Sequence, residues 1–169
     1  MSNIPQHINP IVAYHSHIYF TAETRHIAEQ LNEELQDLFK IWDYRWLDAS
    51  NGLHPTPMFR FAILKEDFSR YVEWILTRRQ GLNVLVHAIT GNDYIDHSYL
   101  TLWLGEQLQL GLEPMRKREE ERQAQGVTNH QSDVFLTGLD INQAGKIRYK
   151  AGDDSYKARN ITPQHPTNS

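Results

Sequence analysis

The sequence predicts an α+β fold in which an antiparallel sheet carries two helices on one face, the split βαβ arrangement. Three observations predict it. Short aromatic and β-branched runs alternate with longer segments whose apolar residues recur at three- and four-residue steps, in the order β-α-β-β-α-β. Turn and helix-stop residues fall between these runs. At 169 residues, 40% of them hydrophobic, the chain can build one proper core and is too short to make two comfortably.

Residues 1–12 read as a lead-in broken by Pro5 and Pro10. The first strand, about 13–20, alternates so that His15, His17 and Tyr19 share one face and Tyr14, Ser16, Ile18 and Phe20 the other. Thr21 is the expected N-cap, with Glu23 in the first turn, of a helix over 23–39 whose stripe is Ile27, Ala28, Leu31, Leu35, Leu38 and Phe39. Strand two, 41–47, sets Trp42, Tyr44 and Trp46 on one side, a face able to line an aromatic pocket. A loop at 48–57 carries His54 and leads into strand three at 58–64. A second helix over 66–79 groups Phe68, Tyr71, Val72, Ile75 and Leu76, and Gly81 lies just past its end. Strand four, 83–89, closes in a turn at 90–93, and 100–105 makes a short fifth strand.

In this topology strands one and three are central neighbours and strand four flanks strand one, so His17 and His87 lie on adjacent strands. The helix-free face must be covered by a partner subunit, the remaining chain or a ligand. The folded domain is expected over 13–105, followed by a polar, partly disordered C-terminal extension at 106–169. That extension offers a charged helix at 113–125 and a small hairpin from 134–136 and 146–149.

The chain has no cysteine, which removes disulfides, thiolate nucleophiles and cysteine-bound zinc, so any metal must be held by nitrogen and oxygen. A net charge of -4 argues against nucleic acid as a partner. The N-terminus shows neither the basic start nor the apolar run of a secretory signal, and no window approaches the roughly 18 apolar residues of a spanning helix. A cytoplasmic protein without membrane contact is expected.

Four histidines stand in strand-like or loop settings: His15, His17, His54 and His87. A single histidine on an apolar strand is usually a hydrogen-bonded core or surface residue. Together they are compatible with a mononuclear metal site, in which neutral imidazoles leave open positions for substrate and dioxygen on iron(II). His97 follows Asp96, a neighbour able to orient it for acid/base work, although spacing favours a plain turn histidine. His7, His26, His130 and His165 read as solvated.

Tyr14-His15-Ser16-His17-Ile18-Tyr19-Phe20, His54-Pro55-x-Pro57-Met58-Phe59, Leu82-x-Val84-Leu85-Val86-His87-x-x-Thr90-Gly91, Asp96-His97 and Trp103-Leu104-Gly105 resemble, in order and spacing, the DOPA 4,5-dioxygenase family of fungi and bacteria. The resemblance implies a ferredoxin-like fold and extradiol cleavage of L-DOPA or a related catechol by O2 and non-haem iron(II), Fe(2+). The histidines it matches are His15, His17, His54, His87 and His97. Strand parity then assigns His17, His54 and His87 to the metal, with His15 able to replace any of them, and leaves His15 and His97 as supporting or acid/base groups. Tyr19, Arg60 and Trp42 are the expected substrate-binding residues, with Arg60 or Arg45 pairing a substrate carboxylate unless both are simply solvated. A homodimer is expected. The alternative is a non-catalytic metal or small-ligand binding module on a dimeric ferredoxin-like fold.

Overall fold

The computed structural model describes residues 11 and 13–127. The lead-in before residue 11, the expected hairpin and the C-terminal tail lie outside the described residues. The elements are β1 (Ala13–Tyr19), α1 (Arg25–Leu38), β2 (Trp42–Leu47), β3 (Met58–Leu64), a 3-10 turn (Lys65–Asp67), α2 (Phe68–Arg78), β4 (Val84–Ile89), α3 (Asp93–Ser98), β5 (Thr101–Leu104) and α4 (Glu113–Ala124). The strands form one antiparallel sheet in the order β2-β3-β1-β4-β5. This is the ferredoxin-like arrangement with β5 added beside β4.

Alternation along the strands sorts the sheet into two faces. Ile18, Phe59, Phe61, Ile63, Val84 and Val86 meet Ala28, Leu31, Leu35, Tyr71 and Ile75 of the helices in the main core. All eleven are buried. The helix stripes are narrower than the periodicity predicts. Leu38 and Leu76 are exposed, whereas Asn32 and Gln36 of α1 are buried and bond to each other. The helix start also differs, since Thr24 is the N-cap and its Oγ1 accepts from the Thr21 backbone N–H at 2.9 Å.

On the opposite face, β1 presents Ala13, His15, His17 and Tyr19, with His15 directly across from His87 and from Ala62. Strand β2 breaks the expected alternation. Asp43 takes a positive φ of 48° where the register between β2 and β3 shifts, a β-bulge. The extra residue turns Trp42 onto the histidine-bearing side, beside Ala13, Ala62 and Ile89, while Tyr44 and Trp46 stay in the helix-side core. Trp42 and Trp46 therefore do not share a face.

Part of the chain beyond β5 covers the histidine-bearing face. Leu108 and Leu110 pack against the cluster formed by Tyr19, Met58 and Leu85. No helix among the described residues is long and apolar enough to cross a membrane.

Candidate metal centre

The period of two in β1, antiparallel pairing with β4, the 51–54 loop and α3 bring five histidines to one cavity of about 200 Å3. His15 and His17 come from β1, His54 from the loop, His87 from β4 and His97 from α3. Neighbouring rings lie close: His17 and His54 have centroids 4.3 Å apart, His87 and His97 4.0 Å apart, and His15 and His87 5.2 Å apart. His17 Nε2 stands 3.1 Å from His87 Nε2.

Each imidazole has one nitrogen held from outside this cluster. His87 Nδ1 donates to the Ala88 carbonyl at 2.8 Å and His97 Nδ1 to the Asp93 carbonyl at 2.8 Å. A carbonyl only accepts, so these contacts fix Nδ1–H, and in the neutral rings Nε2 keeps its lone pair. His15 Nε2 pairs with Asp43 Oδ2 at 3.0 Å, His54 Nδ1 with the Tyr19 hydroxyl at 2.8 Å and His17 Nδ1 with the Met58 sulfur at 3.2 Å. An outer partner on one nitrogen is how metal-ligating histidines are oriented.

Electrostatics keep His17, His54, His87 and His97 neutral, the form that binds metal. Burial, then the neighbouring imidazoles, holds His17 and His87 well below the usual histidine value. Burial, then His97, lowers His54 to about 3, and burial lowers His97 to about 4. Two sets of three have donor atoms within 4.8 Å of one another: His15, His17 and His87, and His17, His54 and His97. Two nitrogens 3.1 Å apart can share one ion at about 2.1 Å from each. The donor set fits a divalent metal. His17 belongs to both sets, and the expected ligands His54 and His87 come from different ones.

The remaining expected residues divide. Arg60 and Arg45 line the cavity. Arg60 Nη2 approaches Asp43 Oδ2 at 3.0 Å and Oδ1 at 3.2 Å, and Arg45 Nε lies 3.8 Å from Oδ1. Burial alone would raise the Asp43 carboxyl, but the His15 hydrogen bond and the two guanidiniums outweigh it and hold the group below the usual range. Tyr19 is buried behind His54, and its phenol is pushed up by burial, so it stays protonated. Trp42 packs with Ile89, itself a wall residue.

Asp96, the neighbour able to orient His97, is engaged elsewhere, in line with the plain turn histidine that spacing favours. Asp96 accepts from the Thr90 backbone N–H at 2.9 Å and from Thr90 Oγ1 at 2.6 Å, while the Asp93 carbonyl takes His97. Burial raises the Asp96 carboxyl to about 6. Sequence reasoning missed Asp43 and Met58. The signal for Asp43 was an acid inside an aromatic strand, Trp42-Asp43-Tyr44. Met58 stands in the His54-Pro55-x-Pro57-Met58-Phe59 run, but nothing there marks it as the partner of His17.

Fold and centre together define an α+β protein with a buried histidine cluster able to hold a metal ion. The Dopa 4,5-dioxygenase family model matches residues 14–114, and the chain belongs to that family. Dioxygenase is the class of activity this membership supports. A crystal structure of a candidate dioxygenase from Nostoc punctiforme is 38% identical and superimposes with a TM-score of 0.62, covering 64% of this chain and 94% of that one. An uncharacterised 21.2 kDa protein of Botryotinia fuckeliana is 28% identical over 124 residues, 66% of this chain and 68% of its own.

Proposed function

We propose that the chain is an iron(II)-dependent extradiol dioxygenase that opens the ring of L-DOPA or a related catechol with O2. The observation that carries the reading is the set of five imidazoles, each held by one nitrogen and grouped around a single cavity. At about 200 Å3 the cavity exceeds the roughly 150 Å3 that accepts benzene in an engineered core.

His17, His54 and His87 are the ligands in this reading. Iron(II) bound there supplies the Lewis acid and redox centre that ring cleavage by dioxygen requires. His15 and His97 are the remaining members of the two sets, each within 4.8 Å of His17 and of one more ligand. His15, with Nε2 on Asp43, receives a catechol proton at Nδ1, and the Asp43 carboxylate stabilises the imidazolium. His97 Nε2, with Nδ1–H on the Asp93 carbonyl, is the second position for a proton. Arg60 and Arg45 orient a substrate carboxylate, Trp42 backs the ring-binding wall and Tyr19 acts through His54. The working form is a cytoplasmic homodimer, which sedimentation and cell fractionation test.

Anaerobic loading with iron(II), followed by L-DOPA or simple catechols in air, tests the reading. Oxygen uptake with a new yellow absorbance is expected. Tight metal binding with no uptake on any catechol moves the assignment to a metal or small-ligand binding module.

A further inference from the structure

The segment 106–112 lies outside every motif that marks the site in the sequence, yet it touches the loop that delivers His54. Leu108 and Leu110 seat it on the Tyr19, Met58 and Leu85 cluster. One residue on, the Gly111 N–H donates to the Leu53 carbonyl at 2.9 Å. The approach is closer than any side chain allows. A Cβ on Gly111 would stand 2.2 Å from the Gly52 carbonyl oxygen and 3.3 Å from its carbon. Both are backbone atoms, so the loop would have to move.

Two hydrogen bonds close that loop on itself. Asn51 Oδ1 accepts from the His54 N–H at 2.8 Å, and the Asn51 N–H donates to the His54 carbonyl at 3.2 Å. Displacing Gly52 therefore displaces His54, and with it the 2.8 Å bond from His54 Nδ1 to Tyr19. We propose that Gly111 is a positioning residue: its missing side chain lets the strap clamp Gly52 and Leu53 and so sets where the His54 imidazole stands in the metal centre. The inference rests on reading His54 as a ligand.

The test uses the full chain and Zn(2+) as a redox-silent probe. Gly111→Ala lowers Zn(2+) affinity about tenfold or more, the range seen when an outer support of a ligand is lost. Gln109→Ala, an exposed change on the same strap, leaves it unaltered. In a His54→Ala background Gly111→Ala adds no further loss. Unchanged affinity in Gly111→Ala, or an equal loss without His54, overturns the proposal. Histidine-selective 15N NMR of the metal-free protein gives a second readout. The His54 imidazole signals shift in Gly111→Ala while those of His15 and His87 hold, and an unmoved His54 overturns the assignment. If the wild type takes up no zinc, the metal reading fails and the NMR comparison alone decides the positioning role. If Gly111→Ala does not fold, Leu110→Ala, which loosens the strap without crowding Gly52, is read by the same two measurements.

Discussion

His17 Nε2 lies 3.1 Å from His87 Nε2 across the β1–β4 pair, and His87 Nδ1 is committed to the Ala88 carbonyl. His17 also belongs to both triplets of close donors. On the proposed reading it is thus the ligand the centre can least spare. His17→Ala should lower metal affinity more than a hundredfold, beyond the 10–100-fold cost of losing an outer partner. His54→Ala leaves His15, His17 and His87 in place, so it should weaken binding less. Metal content after dialysis ranks the variants, and equal loss in both would show that no ligand is shared.

Binding should appear in the melting temperature as well. A ligand at a hundredfold excess over its dissociation constant stabilises by about 2.7 kcal/mol, or roughly 5–10 °C for a chain of this size. Chelator added to the loaded protein should remove that increment, and His17→Ala should show none. Calorimetric scans with and without metal check both.

The bulge at Asp43 carries a prediction about chemistry. The carboxylate reaches His15 from a bulge where Asp43 adopts φ 48°, a conformation asparagine also tolerates. Asp43→Asn should keep the bulge, with some loss of stability where Arg45 and Arg60 then face each other without its charge. It should also lose the anion that fixes Nε2–H and stabilises charged His15. With general acid/base catalysis worth about 10²–10⁴-fold, kcat should fall at least tenfold with little change in KM. A wild-type kcat would remove His15 from proton transfer.

The buried histidines make the metal-free fold sensitive to acid. His54 and His97 sit at about 3 and about 4 when folded, against about 6.5 in an unfolded chain. Between those limits the unfolded state binds more protons, so stability is complete above about pH 6.5 and falls as pH drops toward 4 and then 3. His17 and His87, lowered in the same direction, add to the slope. Urea midpoints at pH 7, 5.5 and 4.5 should fall in that order for the metal-free protein. A flat series would mean that the imidazoles are solvated.

The sheet and its histidine face were legible because strand alternation is a local property. His15, His17 and Tyr19 share a face by parity alone, and the strand order then brings His87 opposite His15. The bulge was not legible, since a positive φ at Asp43 leaves the aromatic alternation of β2 looking regular. Helix α3 has six residues, too few to show a stripe, so His97 read as a turn residue and its backbone partner could not be foreseen. The strap did leave a trace. Leu108, Leu110 and Leu112 alternate with polar residues and Gly111, a period of two inside a stretch whose overall polarity reads as extension.

Arg45 and Arg60 are paired across β2 and β3, two cations facing each other, an arrangement that costs stability unless an anion intervenes. Asp43 does so unequally: it sits at 3.0 and 3.2 Å from Arg60 but 3.8 Å from Arg45. Removing Arg60 should therefore expose the partly buried carboxylate and cost about 2 kcal/mol, between the surface and buried limits for broken ion pairs. Arg45 lines the cavity and is held less closely by Asp43 than Arg60 is. A charge-assisted hydrogen bond is worth about 1.5–3 kcal/mol, so Arg45→Ala should raise KM for L-DOPA about tenfold or more. KM for unsubstituted catechol should stay as it is. Equal losses on both substrates would make Arg45 part of the wall, with no role in reading the carboxylate.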